Sequence, residues 1–143
     1  MSYRKLLVIV LALLLAAALP LQAGPVKGKP IKPLKQWSGS VDDLSLLEAA
    51  PEVILSAQEL ENLWTAWQVP SPKPEVDFAK ELVLVVTARG SRLRFGATLD
   101  GQGNLQVGGL ATRDLHPGFR YVIAVVSRDG VKTINGKEPS EAG

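Results

Sequence analysis

The chain reads as an α+β domain, one main amphipathic helix packed on an antiparallel sheet of about five strands. Three observations predict this: a capped helical stripe over Ser56–Trp67, a change of apolar period from about 3.6 to about 2 after Leu82, and glycine-bearing turns that punctuate the C-terminal half of the chain.

The helix has the clearest signal. Ser56 and Glu59 have capping-box spacing: the serine hydroxyl satisfies the amide of the third helical residue, and the glutamate reaches back to the cap amide. Leu60, Leu63, Trp64 and Trp67 then fall at i, i+3, i+4 and i+7, while Glu59, Glu61 and Asn62 lie off that stripe. Trp64 and Trp67 are therefore expected in the core. Upstream, Glu52–Leu55 reads as a short strand. Downstream, the alternating prolines of Val69–Pro74 end the helix. In Val76-Asp77-Phe78 the Asp77 carboxylate is expected to cap the backbone of the following turn.

From Leu82 the pattern is that of strands. Leu82–Val86 is apolar on both faces, as in a central strand. Arg92–Leu99 alternates: Leu93, Phe95, Ala97 and Leu99 point one way, and Arg92, Arg94, Gly96 and Thr98 the other, which suits a strand wet on one side. Asp100–Asn104 is a turn by composition. Leu105–Thr112 continues the meander, with Gly108-Gly109 suggesting a bulge or a close backbone approach. Phe119–Ser127 is a second doubly apolar strand, and Asp129-Gly130 predicts a hairpin into Val131–Ile134. Trp37–Ala50 is ambiguous: Ser40–Asp43 offers a helix start, Leu44, Leu46 and Leu47 form a cap or short arm, and Trp37 plugs the domain edge.

The domain is expected over residues 37–136. Before it, Arg4 and Lys5 precede the 14-residue apolar run Leu6–Leu19, and Leu21-Gln22-Ala23 offers a cleavage site, so residues 1–23 read as a secretory signal peptide. That run is shorter than the roughly 20 residues that span a bilayer, and no later stretch is long enough to span. Residues 24–36 read as a linker rich in proline and lysine, and 137–143 as a frayed tail. Without residues 1–23 the count of 16 basic and 14 acidic residues becomes 14 and 14. The pI near 9.0 thus belongs largely to the leader, and overall charge gives no reason to expect nucleic acid as a partner. The expected location is periplasmic or extracellular. With no cysteine in the chain, stability must come from an apolar core rather than disulfides.

Val53-Ile54, Ser56, Glu59-Leu60, Leu63-Trp64, Val76-Asp77-Phe78, Lys80-Glu81 and an apolar strand ending near Gly90 together resemble the C-terminal domain of the protease complex subunit PrcB, over about residues 52–90. The resemblance implies an exported α+β domain that associates with and stabilises a surface protease. It does not imply catalysis.

The residues themselves carry no catalytic pattern. His116 is the sole histidine, so zinc sites built from several nitrogen or sulfur ligands are excluded; no serine stands in a nucleophile-elbow context, and no cofactor or metal is expected. For binding, Arg92, Arg94 and Arg120 are the candidates: on one wet sheet face they would form a guanidinium ladder for partner carboxylates. The expected function is a non-catalytic interaction or stabilising module of the bacterial envelope with a protein partner. The alternative is a small-ligand or peptide-binding domain or a protease inhibitor, working through the arginine face or a pocket under the proline loop.

Overall fold

A computed structural model describes residues 28–142, without the side chains of the last two; the expected signal peptide lies outside them, as do residues 24–27 of the expected linker. The chain forms β1 (Lys29–Pro30), β2 (Lys35–Val41), a 3-10 turn (Leu44–Leu46), β3 (Val53–Ile54), α1 (Ala57–Ala66), β4 (Glu81–Ala88), β5 (Leu93–Leu99), β6 (Asn104–Ala111), β7 (Phe119–Ser127), β8 (Thr133–Ile134) and α2 (Pro139–Ala142). These strands make two four-stranded sheets, β2-β7-β4-β3 and β1-β5-β6-β8, rather than one sheet of five. All described pairings are antiparallel except β6 with β8.

The first sheet is the middle of three layers. Its central strands β4 and β7 are the two segments that are apolar on both faces, because each face meets a different partner. Val83, Val85, Phe119, Tyr121, Ile123 and Val125 turn toward α1 and join Leu60, Leu63, Trp64 and Trp67 in one core. Leu82, Leu84 and Val126 turn the other way and join Ala97, Leu105 and Ile134 of the second sheet. A single residue of register slip would exchange the two sets.

The helix begins at Ser56, whose extended backbone and Oγ, accepting from Glu59 N at 3.2 Å, make it the N-cap. The Glu59 carboxylate accepts from Leu55 N at 3.2 Å, so it reaches one residue beyond the cap amide. Ser56→Ala is expected to cost about 1 kcal/mol of stability, read as a shift of the urea midpoint at unchanged slope. The helix closes on Trp67, with Gln68 in the left-handed region at φ 47°. Trp64 Nε1 donates to Ser71 O at 2.7 Å, tying the proline loop to the core. Trp64 also receives Trp37 edge-on at 5.2 Å between ring centroids.

Several sequence expectations are corrected. The described part of the expected linker is not a tether: it supplies β1 and the start of β2, and Ile31 N and Leu34 N donate to Ala97 O and Val125 O. Prolines are tolerated there because β1 and β2 are edge strands. Ser40 and Val41 end β2 rather than start a helix, and Asp43 caps only the short 3-10 turn through Ser45 N. The turn at Asp129-Gly130 does not close a hairpin. Both edges of β7 are already occupied by β2 and β4, so the chain crosses to the second sheet and pairs in parallel with β6. The expected tail is partly ordered: Ile134 and Lys137 exchange backbone hydrogen bonds of 2.7 and 3.0 Å, and the short α2 comes directly after.

Candidate surface site on the outer sheet

The second sheet has one face on the core and one face open. On β5 and β6 the open face carries three cross-strand pairs in sequence: Arg94 with Leu110, Gly96 with Gly108, and Thr98 with Gln106. With Pro30 beside them they border a groove of about 540 Å³. Leu110 is 78% exposed, at the Arg94 end of this surface.

Both ends of the β5–β6 ribbon are held by a carboxylate. At the turn, Asp100 Oδ1 accepts from Gln102 N at 2.8 Å and Asn104 N at 2.9 Å, and Gly103 takes φ 86°. At the other end Asp114 Oδ1 accepts from Ser91 N at 3.1 Å, while Thr112 Oγ1 accepts from Arg92 N at 3.1 Å and lies 3.3 Å from Ser91 Oγ. Hydrogen bonds from the Ser91 and Thr112 hydroxyls, then the Ser91 amide, hold the Asp114 carboxyl far below the usual carboxylate range. A folded pKa below the unfolded value gives stability that is complete above about pH 4 and is lost as pH falls through the folded value. Asp114→Asn should therefore flatten the acid limb of a melting temperature profile, most visibly below about pH 4. Parallel acid limbs in the two proteins would show that the carboxylate does not hold this end.

The glycines of the ribbon fall into two kinds. At Gly109 a Cβ would come within 2.7 Å of Leu93 Cδ1, so packing explains the missing side chain. At Gly108 a Cβ would meet nothing within 4 Å, and at Gly96 only the Gly108 carbonyl oxygen at 3.9 Å. Neither of these two has a positive φ. Each lowers strand stability by roughly 0.5–1 kcal/mol relative to alanine, with neither backbone geometry nor packing to require it. The register through both is unbroken, so Gly108-Gly109 is not a bulge.

The expected arginine ladder does not assemble. Arg92 precedes β5 and is pinned by its amide; Arg94 lies on β5; Arg120 lies on β7 of the other sheet, opposite Ser40 and Ala88. The cause is the crossing of the chain at Gly90, which puts β5 and β7 in different layers. Arg120 Nε is buried without a hydrogen-bond partner among the described residues.

The residues expected to be structural fall elsewhere. Asp77 Oδ1 accepts from Ala79 N at 3.1 Å, and its backbone carbonyl accepts from Lys80 N and Glu81 N. Phe78 packs on the helix-side core, and its carbonyl accepts from Arg128 Nη1 at 2.8 Å. His116 is exposed in the loop before β7. Among the described residues no group of three or more histidine, cysteine, aspartate or glutamate side chains is placed to hold a metal ion. No helix among them is long and apolar enough to cross a membrane.

A second cavity, of about 340 Å³, lies beside α1 and is bordered by Leu46, Ala49, Pro51, Leu63, Ala66 and Trp67. The 3-10 turn walls it, and none of Val69–Pro74 lines it.

The molecule is thus an α+β protein of helix on sheet on sheet, with an open glycine-floored face as its outermost surface. Comparison with protein-family models, curated proteins and solved structures found no match.

Proposed function

We propose that this protein is a non-catalytic interaction or stabilising module exported to the bacterial cell envelope, and that a protein partner docks on the outer face of β5 and β6. The observation that carries the reading is the pair Gly96 and Gly108, two strand glycines that nothing among the described residues explains. Glycine in a strand commonly marks the place where another molecule approaches the backbone. The leader-like residues 1–23 support export, and the PrcB-like pattern over about residues 52–90 favours a surface protease complex as the partner.

The test is site-specific photo-cross-linking in the producing cells, from Gln106 and Leu110 on the outer face and from Glu61 on the exposed side of α1. A discrete protein adduct from Gln106 and Leu110 is expected. Adducts only from Glu61, or none at all, would remove the outer face from consideration.

The cavity beside α1 favours a second reading, a site for a small apolar ligand. Trp67 is in its wall. Saturable change of tryptophan fluorescence with an apolar ligand, abolished by Ala66→Phe, is what that reading requires.

A further inference from the structure

We infer that the partner reaches this face as an extended strand added to the open edge of β5, with an acidic residue opposite Arg94 and, two residues away, an aromatic residue opposite Gly96. The inference rests on the outer-face reading above and specifies its partner.

The edge is available by topology. β1 pairs only with Leu99 and Thr98, and Ile31 N then donates to Ala97 O before the chain leaves for the first sheet. Among the described residues no strand pairs with β5 on that side from Leu93 to Gly96. Bonding groups alternate along an antiparallel strand, so the pattern set by Ala97 assigns the outward N–H and C=O groups of this stretch to Leu93 and Phe95. Arg94 and Gly96 then take the positions whose side chains approach a new neighbour most closely. On the opposite edge Asn135 Oδ1 already accepts from Val107 N at 2.8 Å, so β6 is partly closed to the same use.

The protein shows what it does with a strand glycine elsewhere. Gly39, on edge strand β2, is paired with Tyr121, and a Cβ there would meet the phenol oxygen at 2.5 Å and the ring carbon Cζ at 2.7 Å. A ring from the neighbouring strand thus covers the bare backbone, as aromatic residues do beside edge glycines. Gly96 is likewise a strand glycine, but it is exposed to solvent and has no ring over it among the described residues.

Charge selects the other contact. From Leu82 to Asp114 the chain holds Arg89, Arg92, Arg94 and Arg113 and two carboxylates, Asp100 and Asp114, each engaged by backbone amides at one end of the ribbon. The ion pair found among the described residues is Lys73 with Glu61, on the far layer. An acidic residue facing Arg94 would give it a carboxylate partner that it does not have among the described residues. A second copy of the chain does not fit: antiparallel registers of β5 on β5 centred on Leu93, Arg94 or Phe95 put the two Arg94 residues opposite or diagonal to each other, and one centred on Gly96 runs into β1 at Thr98. As a guard against edge pairing, Arg94 alone would suffice, and such a guard needs no glycine beside it.

The acid and the ring must alternate with one residue between them, because only residues two apart share a face of a strand. In an antiparallel strand the ring opposite Gly96 comes two residues before the acid opposite Arg94, so the probe is the synthetic peptide Thr-Val-Tyr-Thr-Glu-Val-Thr, and its control Thr-Val-Tyr-Glu-Thr-Val-Thr, which puts acid and ring on opposite faces. Binding to the purified protein is followed by fluorescence anisotropy, and the amides of Leu93 and Phe95 by hydrogen exchange. The first peptide is expected to bind and to protect both amides, with the control weaker by about tenfold or more. Gly96→Thr should raise the melting temperature, since threonine favours strands and its Cβ has room, yet abolish binding. Arg94→Glu should weaken binding by about tenfold or more and restore it when lysine replaces the peptide's glutamate.

Equal binding of the two peptides, undiminished binding by Gly96→Thr, concentration-dependent dimers that bury β5, or no binding of the first peptide by about 1 mM would each overturn strand addition. If the peptide fails while Gln106 and Leu110 still cross-link in cells, strand addition falls and the outer-face module stands. If both fail, both fall.

Discussion

Trp67→Ala is expected to lower the unfolding free energy by about 3–5 kcal/mol. Trp67 is 6% exposed although it sits at the very end of its helix. Its ring meets Phe119 edge-on at 5.3 Å and Tyr121 at 5.1 Å with a 40° tilt. It therefore fastens the C-terminus of α1 to the first positions of β7, which no covalent link does in a protein without cysteine. Removal of the indole also opens the existing cavity beside α1, and a void that the surroundings cannot fill adds to the lost transfer energy. Urea unfolding should show a lower midpoint with unchanged slope. A loss under about 1 kcal/mol would place the ring's contribution at that of a surface residue.

The same residue shows what the sequence made legible. The spacing of Leu60, Leu63, Trp64 and Trp67 depends only on helix geometry, so the buried stripe could be read from it, and all four lie in one core. The doubly apolar segments likewise identified β4 and β7 as central strands. Which strands share a sheet is a different kind of information. Arg92–Leu99 and Phe119–Ser127 both alternate or run apolar as strands should, but nothing local to either states that the chain changes layer at Gly90 and returns before Phe119. One sheet of five strands and two sheets of four satisfy the same local pattern. The arginine ladder was lost at that step, since it needed Arg94 and Arg120 on one face.

The candidate site was hidden for a related reason. Gly108 is conspicuous through its neighbour Gly109, yet the two differ: a Cβ at Gly109 would meet Leu93, and one at Gly108 would meet nothing within 4 Å among the described residues. Gly96 lies on the polar side of an alternating strand, where its pattern is that of any wet position. Only the register that sets it opposite Gly108 turns two ordinary residues into a floor. A glycine at a wet position of a strand, where any β-former would be more stable, was the available signal.

Gly118→Ala is the other substitution expected to have a large effect, about 3 kcal/mol or more, and it bears on the layer crossing itself. Gly118 brings the chain back to the first sheet, immediately before Phe119 pairs with Val41. Its φ of 69° disfavours any side chain, and a Cβ would overlap the Val41 carbonyl and come within 2.8 Å of Asp42 Cα. Both obstacles are backbone, which cannot swing aside as a side chain can. Gly130, at φ 76°, separates the two contributions: a Cβ there meets only Leu99 Cδ2 at 3.5 Å. Gly130→Ala should therefore show the dihedral cost alone, about 1–2 kcal/mol, and the excess at Gly118 measures how tightly the end of β2 closes over the crossing. Equal losses in urea unfolding of the two variants would mean that β2 gives way at Val41 and that the crossing is not fixed by this contact.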